Sequence, residues 1–417
     1  MAVATLLPAS GVVVQEPGCF LCGSRAVADA LMNVALYLPL GFALAWRGHR
    51  WVVVAVVGLL LSTGIELAQQ LLPGRYPSLP DVVFNTVGAV TGHGLWLSRR
   101  WWLAPYPRVA GVLATTAAAT GVAVLAGTSA LLAPGLPETT YWGQWTACFA
   151  NMAVYEGRII ATRVGDVPVY SWLIPRSEAV RAALLGGAET RVDFVAGPPT
   201  PSLAPLFSIY DGRHREVMLL GVDGEDLVLR YRTRGARLRF DQPELRLPGA
   251  LRGVRPGEHA RIRLRREGSS FCIAVDGGRT TGARAQAGDD PPGDGRPACG
   301  LGYTVADGWG VLLFPGGIGT GPVRLLGMAW LALLFLPTGF LASRLSDAAV
   351  AALLAVAGLA MVPAWLPVLP VSMGGWVAAL AGAAAGAAVR RGIQRADRMA
   401  APSTPFRTAT ASARTRT

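Results

Sequence analysis

Of 417 residues, 52% are hydrophobic and 15% charged, a balance too apolar for an ordinary soluble protein. The net charge of +12 sits mostly outside residues 138–310, where 22 Arg face 20 acidic residues. The excess falls in short segments between apolar runs and in the C-terminal tail. No basic stripe interleaved with aromatics occurs, which argues against a nucleic-acid binder.

Residues 1–27 form an N-terminal segment expected outside the cytoplasm. Cys19-Phe-Leu-Cys22 is a CxxC with no second CxxC or His pair to complete a zinc site, so it reads as a local disulfide or two idle thiols. Residues 2–14 are apolar but lack the basic start and cleavage site of a signal peptide.

About seven spanning helices follow from apolar length, at 28–46, 51–72, 82–98, 109–132, 323–342, 347–366 and 371–389. They form a four-helix domain (28–132) and a three-helix group (323–389), with a basic, disordered tail at 390–417. Arg47, His49 and Arg50, then Arg99, Arg100 and Arg108, then Arg344, then Arg390, Arg391, Arg395 and Arg398 all fall on one side if the N-terminus is outside. The excess of Arg in short loops places that side in the cytoplasm of a cell membrane, and residues 133–321 outside.

The outer segment, 138–315, carries strand signals. Leu206–Tyr210, Glu216–Val222, Asp226–Arg232, Arg261–Arg265 and Phe271–Asp276 alternate with turns such as Asp211-Gly212 and Asp223-Gly224. Short strands with polar turns every 8–12 residues predict an antiparallel sandwich, whose size suits a two-sheet jelly roll. Residues 285–296 read as a flexible loop. One internal echo links Leu36-Tyr-Leu-Pro39-Leu-Gly41-Phe42 to Leu334-Phe-Leu-Pro337-Thr-Gly339-Phe340. It is either a parallel repeat of helices one to three or a coincidence between apolar helices.

The chemistry-bearing signal is a set of polar residues in apolar helices. Asp29 and Asn33 open the first helix, Asp81 and Asn85 open the third, and each pair shares a face about one turn apart. Glu66, Gln69 and Gln70 lie near the end of the second, and Arg75 in the loop after it. An ionisable group in a bilayer is costly unless paired or hydrated, so one reading is an outward-opening polar pocket. The other makes Asp29 and Asp81 N-caps, with Asn33, Asn85 and Glu66 as hydrogen-bonding glue between helices. Gly88 and Gly92 read as a close-packing pair. His93, roughly 18 Å along the helix from Asp81, lies apart from that site.

In order and spacing, Asn33–Gly41, Ile65–Gln69, Arg75 and Asp81–Gly88 resemble the VanZ-like membrane protein family over about residues 29–97. The family is associated with glycopeptide resistance, so the resemblance implies an envelope membrane protein and offers residues without a reaction. The outer segment resembles concanavalin A-like and laminin G-like jelly rolls across Phe207–Gly277. In such a domain Trp142, Trp145, Trp172 and Tyr155 would stack on sugar rings or serve as core. Asp211, Asp223 and Asp226 would ligate calcium or form turns.

The expected function is a non-enzymatic envelope protein. It would bind an envelope glycan, a lipid-linked precursor or a glycopeptide through the outer sandwich and the polar pocket. The alternative is an intramembrane enzyme acting on a polar lipid, with Glu66 or Asp81 as acid or base and Arg75 stabilising negative charge.

Overall fold

The computed structural model describes residues 23–72, 77–103, 106–149, 151–277 and 297–400. The first helical unit comprises α1 (Ala26–Trp46), α2 (Trp51–Gln69), α3 (Leu79–Leu97), the single-turn α4 (Arg99–Trp102) and α5 (Pro107–Leu132). Long runs of Val, Leu and Ala favour helix because every backbone N–H and C=O is then satisfied within the segment, as a lipid surround requires. Pro80 and Pro107 sit in the first turns of α3 and α5, where a missing N–H costs nothing.

The middle of the chain is a β-sandwich. Its elements are β1 (Tyr141–Trp145), β2 (Arg158–Val164), β3 (Val167–Pro168), β4 (Leu173–Ile174), α6 (Ser177–Gly186), β5 (Thr190–Val195), β6 (Thr200–Asp211) and β7 (Glu216–Gly224). These are followed by β8 (Asp226–Tyr231), α7 (Arg234–Arg237), β9 (Leu245–Leu247), β10 (His259–Glu267), β11 (Ser270–Asp276) and β12 (Ala298–Leu301). Two six-stranded sheets, ordered β4-β1-β6-β7-β8-β9 and β12-β11-β10-β5-β2-β3, enclose one core that includes Tyr141, Phe194, Phe207, Ile209 and Ile273. All five strands read from the sequence are present. In β10 the predicted alternation holds: Ile262 and Leu264 turn inward while Arg261 and Arg265 stay exposed.

The second helical unit is α8 (Thr320–Leu341), α9 (Leu345–Trp365) and α10 (Met373–Ala400). Among the described residues, five helices are long and apolar enough to cross a membrane: Ala26–Trp46, Trp51–Gln69, Val109–Leu132, Thr320–Leu341 and Leu345–Trp365. The other two of the expected seven are diluted, α3 by Asp81, Asn85, His93 and glycines, α10 by Gly and its terminal arginines. Because α10 runs on past Val389 to Ala400, Arg390, Arg391 and Arg395 belong to a helix and not to a disordered tail. The expected loop at 285–296, the CxxC at Cys19 and Cys22, and the tail from 401 lie outside the described residues.

The two helical units share one packing device. A β-carbon at Gly41 of α1 would collide with the Ala89 carbonyl of α3, one at Gly88 with that of Val34, and one at Gly92 with that of Leu38. In the second unit Gly339 of α8 meets the Ala383 carbonyl, Gly382 of α10 meets that of Ala332, and Gly386 that of Leu336. Each contact maps onto its counterpart with one constant offset per helix. The echo around Pro39 and Pro337 therefore extends to a shared helix pair, α1–α3 and α8–α10. Backbones approach this closely only where both faces are small.

The sandwich sits on one end of the helices. The Arg239 carbonyl accepts from Val27 and Ala28 at the start of α1, at 3.1 and 3.4 Å, and Gly135 after α5 donates to Arg232 at 2.9 Å. Leu369, between α9 and α10, donates to Tyr303 at 2.7 Å. Arg47 after α1 and Arg344 before α9 mark the opposite helix ends, roughly 30 Å away for a helix of this length, and Arg390 within α10 reaches the end of α8 there.

Candidate functional site

On α2, Ser62, Glu66 and Gln69 recur at helical spacing and share the face turned toward α1 and α3. All three are buried, as are Tyr37 of α1 and Asn85 of α3. The Asn85 amide donates to Ser62 Oγ at 2.9 Å. Glu66 Oε2 accepts from the Ser78 backbone N–H at 2.7 Å, which ties α2 to the residue preceding α3. The Tyr37 hydroxyl faces Ser62 without meeting it at hydrogen-bonding geometry, and Asn85 Oδ1 is likewise buried without a partner among the described residues. Buried polar atoms are nearly always satisfied. This cluster therefore holds one buried acceptor and one buried hydroxyl with unused hydrogen-bonding capacity between the helices.

A second tier lies nearer the sandwich. Asp29 is exposed, Asn33 and Asp81 are half-buried, and Asp29 is an electrostatic neighbour of both Asp81 and Asp241. Arg25 reaches Asp29 at 3.9 Å and Asp241 of the sandwich at 3.1 Å. Asp241 is in turn held by the Phe314 and Gln242 amides, at 2.7 and 2.8 Å. The start of α1, beside this second tier, is thus tied to the β domain. Arg75 lies outside the described residues.

Neither Asp29 nor Asp81 is an N-cap: the cap residues are Arg25 and Ser78, and both acids lie inside the first turn. The second unit bears on the glue reading. At the offsets defined by the glycine contacts, Asp29, Asn33, Asp81 and Asn85 correspond to Gly327, Leu331, Gly375 and Ala379. The same helix pair packs there without the polar residues, so packing alone does not require them. Tyr37 and Ser62 were missed in the sequence. The available signal was Ser62 one turn before Glu66, and a hydroxyl-bearing ring within an apolar run.

His93 is buried two turns beyond Asn85 and stays apart, as spacing implied. At the arginine end, Phe42 meets Trp96 at 5.2 Å, and Arg99 lies 4.0 Å over the Trp96 ring. Such an aromatic and basic band is characteristic of a membrane–water interface.

On the sandwich, the three tryptophans part company. Trp145 is half-buried, and its indole N–H lies 2.9 Å from Thr162 Oγ1 and 3.2 Å from the Val169 carbonyl. Trp142 and Trp172 are exposed and meet edge-to-face at 6.0 Å, beside exposed Tyr170. Tyr155 is core, against Phe194. Asp223 and Asp226 both bind Arg246, at 2.6 and 3.1 Å, and Glu244 joins them at 3.1 Å. Burial alone would lower the Arg246 pKa, but these three carboxylates hold it above the ordinary arginine value. Asp211 is wrapped by Arg215 and Arg232 and by the amides of residues 213 and 215. Cys272 and Cys299 form a disulfide between β11 and β12, a pairing not anticipated, while Cys148 is a free, exposed thiol.

Residues 6–102 match the VanZ/LLP1 family model. This VanZ region covers the described part of α1–α3 and α4, and with them the whole polar cluster. No curated protein and no solved structure matches the chain.

Proposed function

We propose that this is a seven-span protein of the bacterial cell membrane whose VanZ region binds the hydroxyl-rich, glycan-type headgroup of a lipid-linked envelope component. The observation that carries the reading is the buried set Tyr37, Ser62, Glu66, Gln69 and Asn85, in which the Tyr37 hydroxyl and Asn85 Oδ1 have no partner among the described residues. Hydroxyl, amide and carboxylate groups are the donors and acceptors that sugar hydroxyls pair with. The position of the cluster, under the sandwich and at membrane depth, suits an amphiphile with its chain in lipid and its head at the interface.

Orientation follows from charge and redox chemistry. Apart from Arg25 and Arg324, the arginines at the helix ends lie away from the sandwich, which favours an external sandwich and N-terminus and a cytoplasmic C-terminus. The Cys272–Cys299 bond fits an oxidising compartment. The sandwich, read as a concanavalin A-like jelly roll, supplies a second sugar contact at Trp142 and Trp172, whose exposed rings offer stacking faces. A glycopeptide carrying sugars would meet the same groups.

The test uses full-length protein in detergent with a polyprenyl-linked disaccharide wall precursor, read as a thermal shift. Wild type should be stabilised, and Tyr37→Phe and Asn85→Ala should each lose most of the shift. An equal shift in both variants would remove the cluster from ligand binding.

A further inference from the structure

The second helical unit repeats the α1–α3 pair of the first as α8–α10, but its middle helix is placed differently. In the first, Gly58 of α2 lies over the side chain of Ala89 on α3, and Ala89 is fully buried. The counterpart of Ala89 on α10 is Ala383, which meets Gly339 of α8 through its carbonyl but is only half-buried and lines a crevice. The helix in the corresponding chain position, α9, leans instead on α5: Gly358 seats against Val122, and Ala351 joins Ala114 and Ala118 in one cluster. A crevice of about 470 Å³ remains between α8, α9 and α10.

The walls of this crevice are apolar, formed by residues such as Ala355, Val356, Leu380 and Ala383, and one end carries Arg344 and Arg391. Arg390, at the same end, already donates to the Phe340 and Leu341 carbonyls at 3.0 and 2.7 Å. Arg344 and Arg391 are exposed. Thr338 lines the crevice and is buried, and its hydroxyl has no hydrogen-bond partner among the described residues. From Trp376 to Arg391 the crevice runs about 22 Å along α10 at 1.5 Å per residue. One leaflet is about 15 Å deep, half of a ~30 Å hydrocarbon core.

We propose that this crevice is a binding site for one anionic phospholipid. An acyl chain lies between α9 and α10 in the place a helix fills in the first unit. The phosphate is held by Arg344 and Arg391, and Thr338 donates to an ester oxygen. An apolar slot within a bilayer is filled by lipid and not by water, and two arginines at its interfacial end select negative charge. The site lies in the other helical unit from the polar cluster and does not depend on the ligand proposed there.

Native mass spectrometry of the full chain, released from bilayers of equal phosphatidylglycerol and phosphatidylcholine, tests this. Wild type should retain phosphatidylglycerol preferentially. The double variant R344Q/R391Q should lower that preference at least about tenfold. Ala352→Trp, on the α9 wall, should abolish retention of either lipid, with Ala355→Leu as the milder filler if the first variant fails to fold. Equal retention of the two lipids by wild type, or undiminished retention in a folded filler variant, would overturn the site.

Discussion

Arg25, just ahead of α1, reaches across to Asp241 of the sandwich at 3.1 Å, and this ion pair couples the membrane helices to the β domain. The two partners are unequally embedded. The Arg25 side chain is 40% exposed and that of Asp241 10%, and Asp241 also accepts from two backbone amides. Arg25→Ala should therefore cost at most about 1 kcal/mol, as for a screened pair. Asp241→Ala strands the Phe314 and Gln242 amides as well and should cost about 2–3 kcal/mol. Thermal unfolding of the two single variants and the double variant measures this difference.

The glycine contacts make a sharper claim. At Gly41, Gly88, Gly339 and Gly382 an added methyl meets a backbone carbonyl of the facing helix, which no side-chain rotation relieves. Alanine at any of these should cost about 1–3 kcal/mol or more through forced helix separation. Alanine at Gly94, which faces open space on the same α3, should leave stability unchanged or slightly raised. Equal melting temperatures for G88A and G94A would contradict the packing described.

Asn85 should behave oppositely for stability and for binding. Ala379 holds the equivalent place in the second unit, so Asn85→Ala should change stability by no more than about 1 kcal/mol, near the average for hydrogen bonds between membrane helices. Ligand response should nonetheless fall. A large loss of thermal stability would return Asn85 to a purely structural role.

The pH response of the sandwich should centre on Asp211. Burial raises its pKa, but hydrogen bonds from the Arg215 amide and guanidinium and from the Arg213 amide outweigh this and hold it below the ordinary 3.8. A depressed folded-state pKa means that the unfolded chain binds the proton first as pH falls. The stabilisation is therefore complete above about pH 4 and is lost as pH drops through the folded value. Asp211→Asn should destabilise the protein by about 1–3 kcal/mol at neutral pH, and the gap to wild type should close in acid. Unfolding measured from pH 7 down to pH 2 checks the sign.

Much of this architecture was legible in the sequence because hydropathy and its period are local properties. Apolar runs marked all the long helices, and alternation such as Arg261–Arg265 marked strands. Gly88 and Gly92 were recognisable as packing residues, and Asp29, Asn33, Glu66, Asp81 and Asn85 stood out as polar intrusions. Strands β1, β2 and β5 were not read. Polar or charged residues interrupt them, and their pairing is set by partners far along the chain.

By itself the sequence determined the order of the parts, a helical unit, a β insertion and a second helical unit, together with the side of the helices on which arginine collects. Tertiary structure decided which polar atoms share a space. It placed Tyr37 and Ser62 beside Asn85, engaged Glu66 with the Ser78 amide, tied the start of α1 to the sandwich through Arg25 and Asp241, and moved α9 away from the position that α2 fills. The physical reason is that burial and hydrogen-bond partnership depend on residues distant in the chain, whereas helix and strand formation depend mostly on neighbours.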